Sequence, residues 1–490
     1  MYFLGLHIKD MKTFLFDQKR LLSLLAFLIL ASCAINPVTG ERELMLVSEN
    51  QEMQLGRSAS PSANWEFGGH YRDPALESYL GNIVQRLWAT SERSHLPFEF
   101  HIQNSSIPNA FALPGYVAIT RGLLCEMESE AQFAAVMGHE IGHVMARHTA
   151  QRLSRIQLQQ LGLAIGASAL EGTSGSDTLL KLGAIGSSLL LLKYDRAQEL
   201  QADRLGVKYM SSIGYDPYEA LSAHEVLEHS VDAYLAKLGR SPRQDTFVSN
   251  ILSTHPRKEI RLSEIESMIA MLPPYRISGD GKFSKIFASK TEDIRKINRF
   301  YEHYDKAELY YNERNFKESE ASIRKAIEMN SSQTPFHNLL GFIMLQQKNY
   351  PAAEKSFNTA LSLDPQYQPS VYGFGLLRLF EEEYDRAIKA FSDSLKFYPG
   401  HAASHFGMGK SYFKSKQYSS AIPYLENFSK AAPKHPEVHG LLGVCFDMKS
   451  EIVPAVREYS YQVQVAPDTE LGRHAKKRLA ELQPLLERKP

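Results

Sequence analysis

Gly341, Gly375, Gly409 and Gly443 recur every 34 residues, and no other feature of this 490-residue chain restricts its fold as strongly. Two further ladders share that period and register: Ala353, Ala387, Ala421 and Ala455, and Pro365, Pro399, Pro433 and Pro467. A period of this length is a helical hairpin, a unit that buries its apolar face only by stacking on its neighbours. The glycine and alanine let the two helices of a unit approach closely. The proline closes the second helix and turns the chain into the next unit. Phe357, Phe391, Leu425 and Tyr459 share one slot and fill the hairpin interior.

The pattern resembles the tetratricopeptide repeat, which implies an α–α superhelix over 297–490. A weaker first unit fits the same frame through Ala307, Tyr310, Ile323 and Ala326, with Ser331 where the proline would stand. A first unit packs on something other than a copy of itself, so departures are expected there. The fourth position, usually bulky, holds His337, Val371, His405 and His439. The polar tail "RHAKKRLAELQPLLERK" is predicted to be a solvating cap helix. Tyr310, Tyr311, Tyr372 and Tyr412 lie at helical spacing and are read as core.

Upstream, the chain predicts a mainly helical α+β domain over 34–272, joined by a linker over 273–296 marked by Pro273, Pro274 and "SGDGK". Residues 34–66 read as an extended lead-in and a helix. "DPALESYLGNIVQRLW" has helical apolar spacing, "PFEFHIQ" and "GYVAIT" read as strands, and "PNAFALPG" reads as a turn with a short extended piece. Residues 122–170 and 177–238 are predicted to be helical. The apolar stretch 179–192 is interrupted by Lys181 and falls short of the roughly 20 residues a membrane span needs.

The N-terminus reads as a targeting segment, 1–33. Lys12, Lys19 and Arg20 precede the apolar run "LLSLLAFLILA", and Leu30-Ala31-Ser32-Cys33 resembles a bacterial lipoprotein box. Acylation of Cys33 would hold the protein on a membrane. With Ala34 next, the resemblance is to lipoproteins sorted to the outer membrane. Cleavage after Ala34, giving a soluble periplasmic product, is the alternative. Cys125 and Cys445 are read as buried thiols, not a bridge. Lys+Arg and Asp+Glu both count 55, so the basic surplus of a nucleic-acid binder is absent.

The chemistry lies in "AAVMGHEIGHVMARH". Residues four apart on a helix share a face, so His139 and His143 can chelate one metal ion, with Glu140 in reach of a metal-bound water. Gly142 keeps one side of this helix slim. A tetrahedral catalytic zinc needs a third protein ligand. "YDRAQELQADRLGVKYM" offers Glu199, and Asp203 one turn on can accept a hydrogen bond from a ligand histidine. One Zn²⁺ per chain is therefore expected.

Together with "NAFALPGYVAITRGLL", "ELQADRLG" and "STHP", these motifs resemble the zinc endopeptidase family that includes the CAAX prenyl endopeptidases and the HtpX heat-shock protease. The resemblance spans roughly 44–266. It implies a gluzincin-like fold, zinc on His139, His143 and Glu199, and Glu140 as the base. Asn109 and Ala110 resemble the edge segment on which gluzincins lay the substrate backbone. His255 of "STHP" is expected to donate to the oxyanion, to fill the fourth zinc position, or to be a turn residue. With the leader and the repeats, the chain reads as an envelope metalloendopeptidase acting on misfolded or stalled periplasmic and outer-membrane proteins. Its repeats would dock clients or the outer-membrane barrel assembly machinery. Two other readings fit the same residues: a repeat-based assembly chaperone whose zinc is mainly structural, and a zinc hydrolase of a non-peptide bond.

Overall fold

The computed structural model describes residues 33–171, 194–239 and 260–487. The leader before Cys33, the apolar stretch 179–192 and His255 therefore lie outside the described residues. Among the described residues, no helix is long and apolar enough to cross a membrane.

The chain opens with a hairpin, β1 (Cys33–Ile35) against β2 (Arg42–Leu44), in which Cys33 pairs with Leu44. Helix α1 (Glu49–Glu66) begins at a capping box, where Ser48 and Gln51 satisfy each other's backbone N–H groups. Helix α2 (Pro74–Ala89) is capped by Asp73 and buries Leu76, Leu80, Ile83, Val84 and Leu87 on one face. Strands β3 (Glu99–Gln103), β4 (Ala110–Leu113) and β5 (Tyr116–Thr120) form a sheet of order β3-β5-β4, with β3 parallel and β4 antiparallel to β5. The short extended piece in "PNAFALPG" is thus an edge strand.

The segment 122–170, read as helical throughout, is divided into α3 (Arg121–Glu126), α4 (Glu130–Met145) and α5 (His148–Glu171). Ser129 caps α4 by accepting from the Gln132 N–H. Arg147 ends it in a left-handed conformation, φ 59°. That conformation is held from outside, because the Arg147 guanidinium donates to Glu52 at 2.9 Å and to the Val47 carbonyl at 2.8 Å. Helices α6 (Arg196–Ser212) and α7 (Glu219–Lys237) pack against α4, and α8 (Ile260–Ala270) packs against α6 and α7.

Residues 273–296, read as a linker, are folded against this domain. Helix α9 (Ser284–Lys290) and the start of α10 (Glu292–Asn312) bring Phe287 and Ile294 into the same apolar core as α2 and α4. Cys125 and Cys445 are buried free thiols, pushed up to about 11 and about 12 by burial.

Helical hairpins follow, pairing Glu292–Asn312 with Phe316–Met329, Thr334–Gln346 with Tyr350–Leu363, Gln368–Phe380 with Tyr384–Phe397, Ala402–Lys414 with Tyr418–Ala431, and Val438–Met448 with Ile452–Val465, before a last helix Glu470–Glu487. The glycine ladder has a direct cause. A methyl group on Gly341 would sit 2.5 Å from the Phe357 ring, and one on Gly375 would sit 2.5 Å from the Phe391 ring. Phe357, Phe391, Leu425 and Tyr459 are fully buried.

A ladder that residue types do not show runs beside it. Arg314, Lys348, Glu382, Lys416 and Ser450, again 34 apart, all have φ of 59–61° at the turn inside each hairpin. The fourth-position histidines also have a shared task. Each donates its Nε2–H to a carbonyl six residues earlier: His337 to Ser331 at 2.7 Å, His405 to Pro399 at 2.9 Å, and His439 to Pro433 at 2.9 Å. They tie the inter-repeat turn to the next helix where a bulky apolar residue usually packs.

The first hairpin docks on the N-terminal domain through Tyr301. Its hydroxyl accepts from Asn104 at 2.7 Å, and the Arg121 guanidinium lies 3.6 Å over its ring. Further along, Arg72 pairs with Asp364 at 2.7 Å, and Trp65 meets Tyr367 edge-on.

Candidate metal centre

Two helices build the site, and three glycines set their distance. A Cβ on Gly138 would lie 3.0 Å from the Gly206 Cα, one on Gly206 2.9 Å from the His139 backbone N, and one on Gly142 3.1 Å from the Ala202 carbonyl. Helices α4 and α6 therefore meet backbone to backbone. The contact carries Glu199, on the first turn of α6, to the paired imidazoles of α4.

His139 Nε2 and His143 Nε2 are 3.1 Å apart. Glu199 stands between them, its Oε2 3.6 Å from the first and its Oε1 3.5 Å from the second. Among the described residues these three form the group able to hold a metal ion. In a tetrahedral zinc site with bonds of about 2.0–2.1 Å, neighbouring ligand atoms are about 3.3 Å apart. The donor set fits zinc: one atom from each residue lies within 4.8 Å of the others, and the paired imidazole nitrogens are near the tetrahedral spacing. Glu140 lines the cavity beside His139, and so do Asn109 and Ala110 at the start of the edge strand β4. Thr120 holds that start in place, exchanging hydrogen bonds with the backbone of Asn109.

Behind the donors lie two different supports. His139 Nδ1 meets Asp203 at 2.8 Å. Asp203 in turn accepts two hydrogen bonds from Arg261, at 2.9 Å and 2.6 Å, and Arg261 also reaches Glu199 at 3.2 Å. Against the cost of burial, the hydrogen bond to His139 and the charge of Arg261 hold the Asp203 carboxyl below the usual range. His143 instead faces His148 and stacks on Tyr194, ring centroids 3.9 Å apart. Burial lowers His148 to about 4, so it is a neutral imidazole at pH 7. His224, also on the cavity wall, is likewise lowered to about 4 by burial.

Sequence reasoning passed over Arg261, His148, Tyr194, Gly138 and Gly206. His148 carried a signal, a third histidine five residues after His143. Arg261 carried one only in combination, since two buried carboxylates one turn apart call for a cation. Cys33 is placed at the first residue of β1, remote in sequence from these groups.

Comparison with known proteins follows the same division. Residues 74–269 match peptidase family M48. They are an M48 peptidase domain. Tetratricopeptide repeats match over 303–333, 335–367 and 379–445. The chain is 30% identical over 240 residues to the mitochondrial metalloendopeptidase OMA1 of Schizosaccharomyces pombe, covering 48% of this chain and 65% of that one. It is 28% identical over 267 residues to the beta-barrel assembly-enhancing protease of Escherichia coli, covering 48% and 47%. To the putative beta-barrel assembly-enhancing protease of Vibrio cholerae it is 27% identical over 240 residues, covering 48% and 46%. The matched stretch thus spans about half to two thirds of these relatives.

Proposed function

We propose that the chain is a zinc-dependent endopeptidase of the bacterial cell envelope. The observation that carries the reading is the convergence of His139, His143 and Glu199 beside Glu140, in a cavity bordered by an edge strand. His139, His143 and Glu199 would hold one zinc ion. Bound there, zinc supplies Lewis acidity that acidifies a coordinated water and draws charge from a carbonyl oxygen. Glu140 takes the proton of the attacking water and delivers it to the leaving amine. Asp203, fixed by Arg261, orients His139 through its Nδ1–H. Asn109 commits its main-chain N–H and carbonyl to Thr120 and fixes the start of the edge strand, and Ala110 next to it presents main-chain groups to an extended substrate, so recognition favours unfolded segments over particular side chains.

The leader ending at Cys33 supports export and lipid anchoring, and the names of the Escherichia coli and Vibrio cholerae relatives support a role in outer-membrane barrel assembly. On this reading the substrates are misfolded or stalled envelope proteins, and the repeats dock clients or the assembly machinery. The Glu140→Gln variant tests it with casein as substrate. The variant keeps its zinc and loses roughly 10²–10⁴-fold in cleavage rate. Wild-type protein that binds zinc yet leaves casein intact, or a variant as active as wild type, would refute the peptidase assignment.

A further inference from the structure

The two imidazoles that converge at the centre are backed in opposite ways, and the backing of His143 is the unusual one. Its Nδ1 lies 2.8 Å from the Nδ1 of His148. The other nitrogen of His148, Nε2, lies 2.9 Å from the Oε1 of Gln201. An amide oxygen only accepts, so His148 Nε2 carries the proton. His148 is fully buried and its hydrogen-bond partners, His143 and Gln201, carry no negative charge, so the ring is neutral and its Nδ1 is a bare acceptor. The proton between the two rings therefore belongs to His143 Nδ1. It follows that His143 Nε2, the atom facing His139 and Glu199, presents a lone pair.

We propose that His148 is a positioning residue that, with Gln201, fixes His143 in the one tautomer able to donate Nε2 to a metal. The proposal rests on the zinc reading above. It also explains why the chain turns so sharply after α4. The left-handed Arg147, anchored on Glu52 and Val47, starts α5 at His148 and folds that ring back onto His143. Gln201 lies two residues beyond Glu199 on α6, so the helix that brings the carboxylate also brings the amide that sets His148. His139 has an anionic partner, Asp203, neutralised by Arg261. His143 has a neutral relay. An anion behind each imidazole would bury a further negative charge beside Glu199 and Asp203, and no second Arg261 stands there among the described residues to offset it.

The test is zinc affinity of the full chain, measured by competition with a chromogenic chelator, with melting of the metal-free protein as a fold control. His148→Phe keeps the ring volume and removes the acceptor. His148→Asn puts an amide oxygen close to where Nδ1 stands. His148→Phe weakens zinc binding about 10–100-fold, the range for loss of a ligand's outer partner. His148→Asn recovers most of that loss. Gln201→Leu, which frees the His148 tautomer, weakens binding less, by about 10-fold at the lower end of that range. Wild-type affinity in His148→Phe overturns the proposal, as does an Asn variant as weak as the Phe variant. Should His148→Phe not fold, Gln201→Leu decides, and wild-type affinity there overturns the relay. Wild-type protein that binds no zinc would instead sink the zinc-peptidase reading on which the relay rests.

Discussion

Glycine does opposite work in the two halves of this molecule. In the repeats, Gly341 and Gly375 leave space that Phe357 and Phe391 fill, so backbones stay a ring's width apart and the gain is apolar burial. In the peptidase domain, Gly138, Gly142 and Gly206 leave space that the facing backbone fills, and the gain is a charged cluster held at fixed distances. The repeats tolerate variation, since Leu425 and Tyr459 serve the same slot as phenylalanine. The α4–α6 crossing does not, because each ångström gained there moves Glu199 from the imidazoles. A repeated unit is stabilised by averaging over neighbours. A metal centre has one copy of each part.

The largest expected effect separates the halves by stability. Phe357→Ala empties a slot shared with Gly341 and Gly373 and destabilises the repeats by about 3–5 kcal/mol. Denaturant unfolding shows the loss, while zinc binding is unchanged, because Phe357 belongs to a different apolar cluster from the one under α4. Loss of zinc in that variant would mean the two halves are coupled more tightly than their packing implies. Next is Gly206→Ala. Its added methyl meets the His139 backbone, so stability falls by about 1–3 kcal/mol. Unlike Phe357→Ala, it also weakens zinc, which titration with a competing chelator reads directly. Unchanged affinity would show that the close crossing is not what sets the ligand distances. The smallest effect is a gain. Lys348→Gly relieves a left-handed turn and stabilises the repeats by about 1 kcal/mol, seen as a higher midpoint in urea.

The same contrast explains what could be read before the structure. Period and register reveal the hairpins because each constraint is written several times, and the His139–His143 spacing is legible because a helix puts both on one face. The edge strand β4 was half hidden, since Pro108, Pro114 and Gly115 crowd around its four residues and read as a turn. The break at Ala146–Arg147 was hidden altogether. Nothing in "VMARHT" stops a helix, and the stop comes from Glu52 and the Val47 carbonyl, about a hundred residues earlier. The left-handed ladder at Arg314, Lys348, Glu382, Lys416 and Ser450 escaped for a related reason. Its residue types differ, and only the shared turn geometry unites them. Arg261 escaped because its meaning depends on two carboxylates on another helix.

The central claim is that a carboxylate delivered by α6 completes a metal site begun on α4. The direct test is elemental analysis of zinc in wild type and in Glu199→Ala after exhaustive dialysis against metal-free buffer. The account predicts close to one equivalent in wild type and a small residue in the variant, with both proteins melting as folded species. A Glu199→Ala protein that retains a full equivalent of zinc would contradict it.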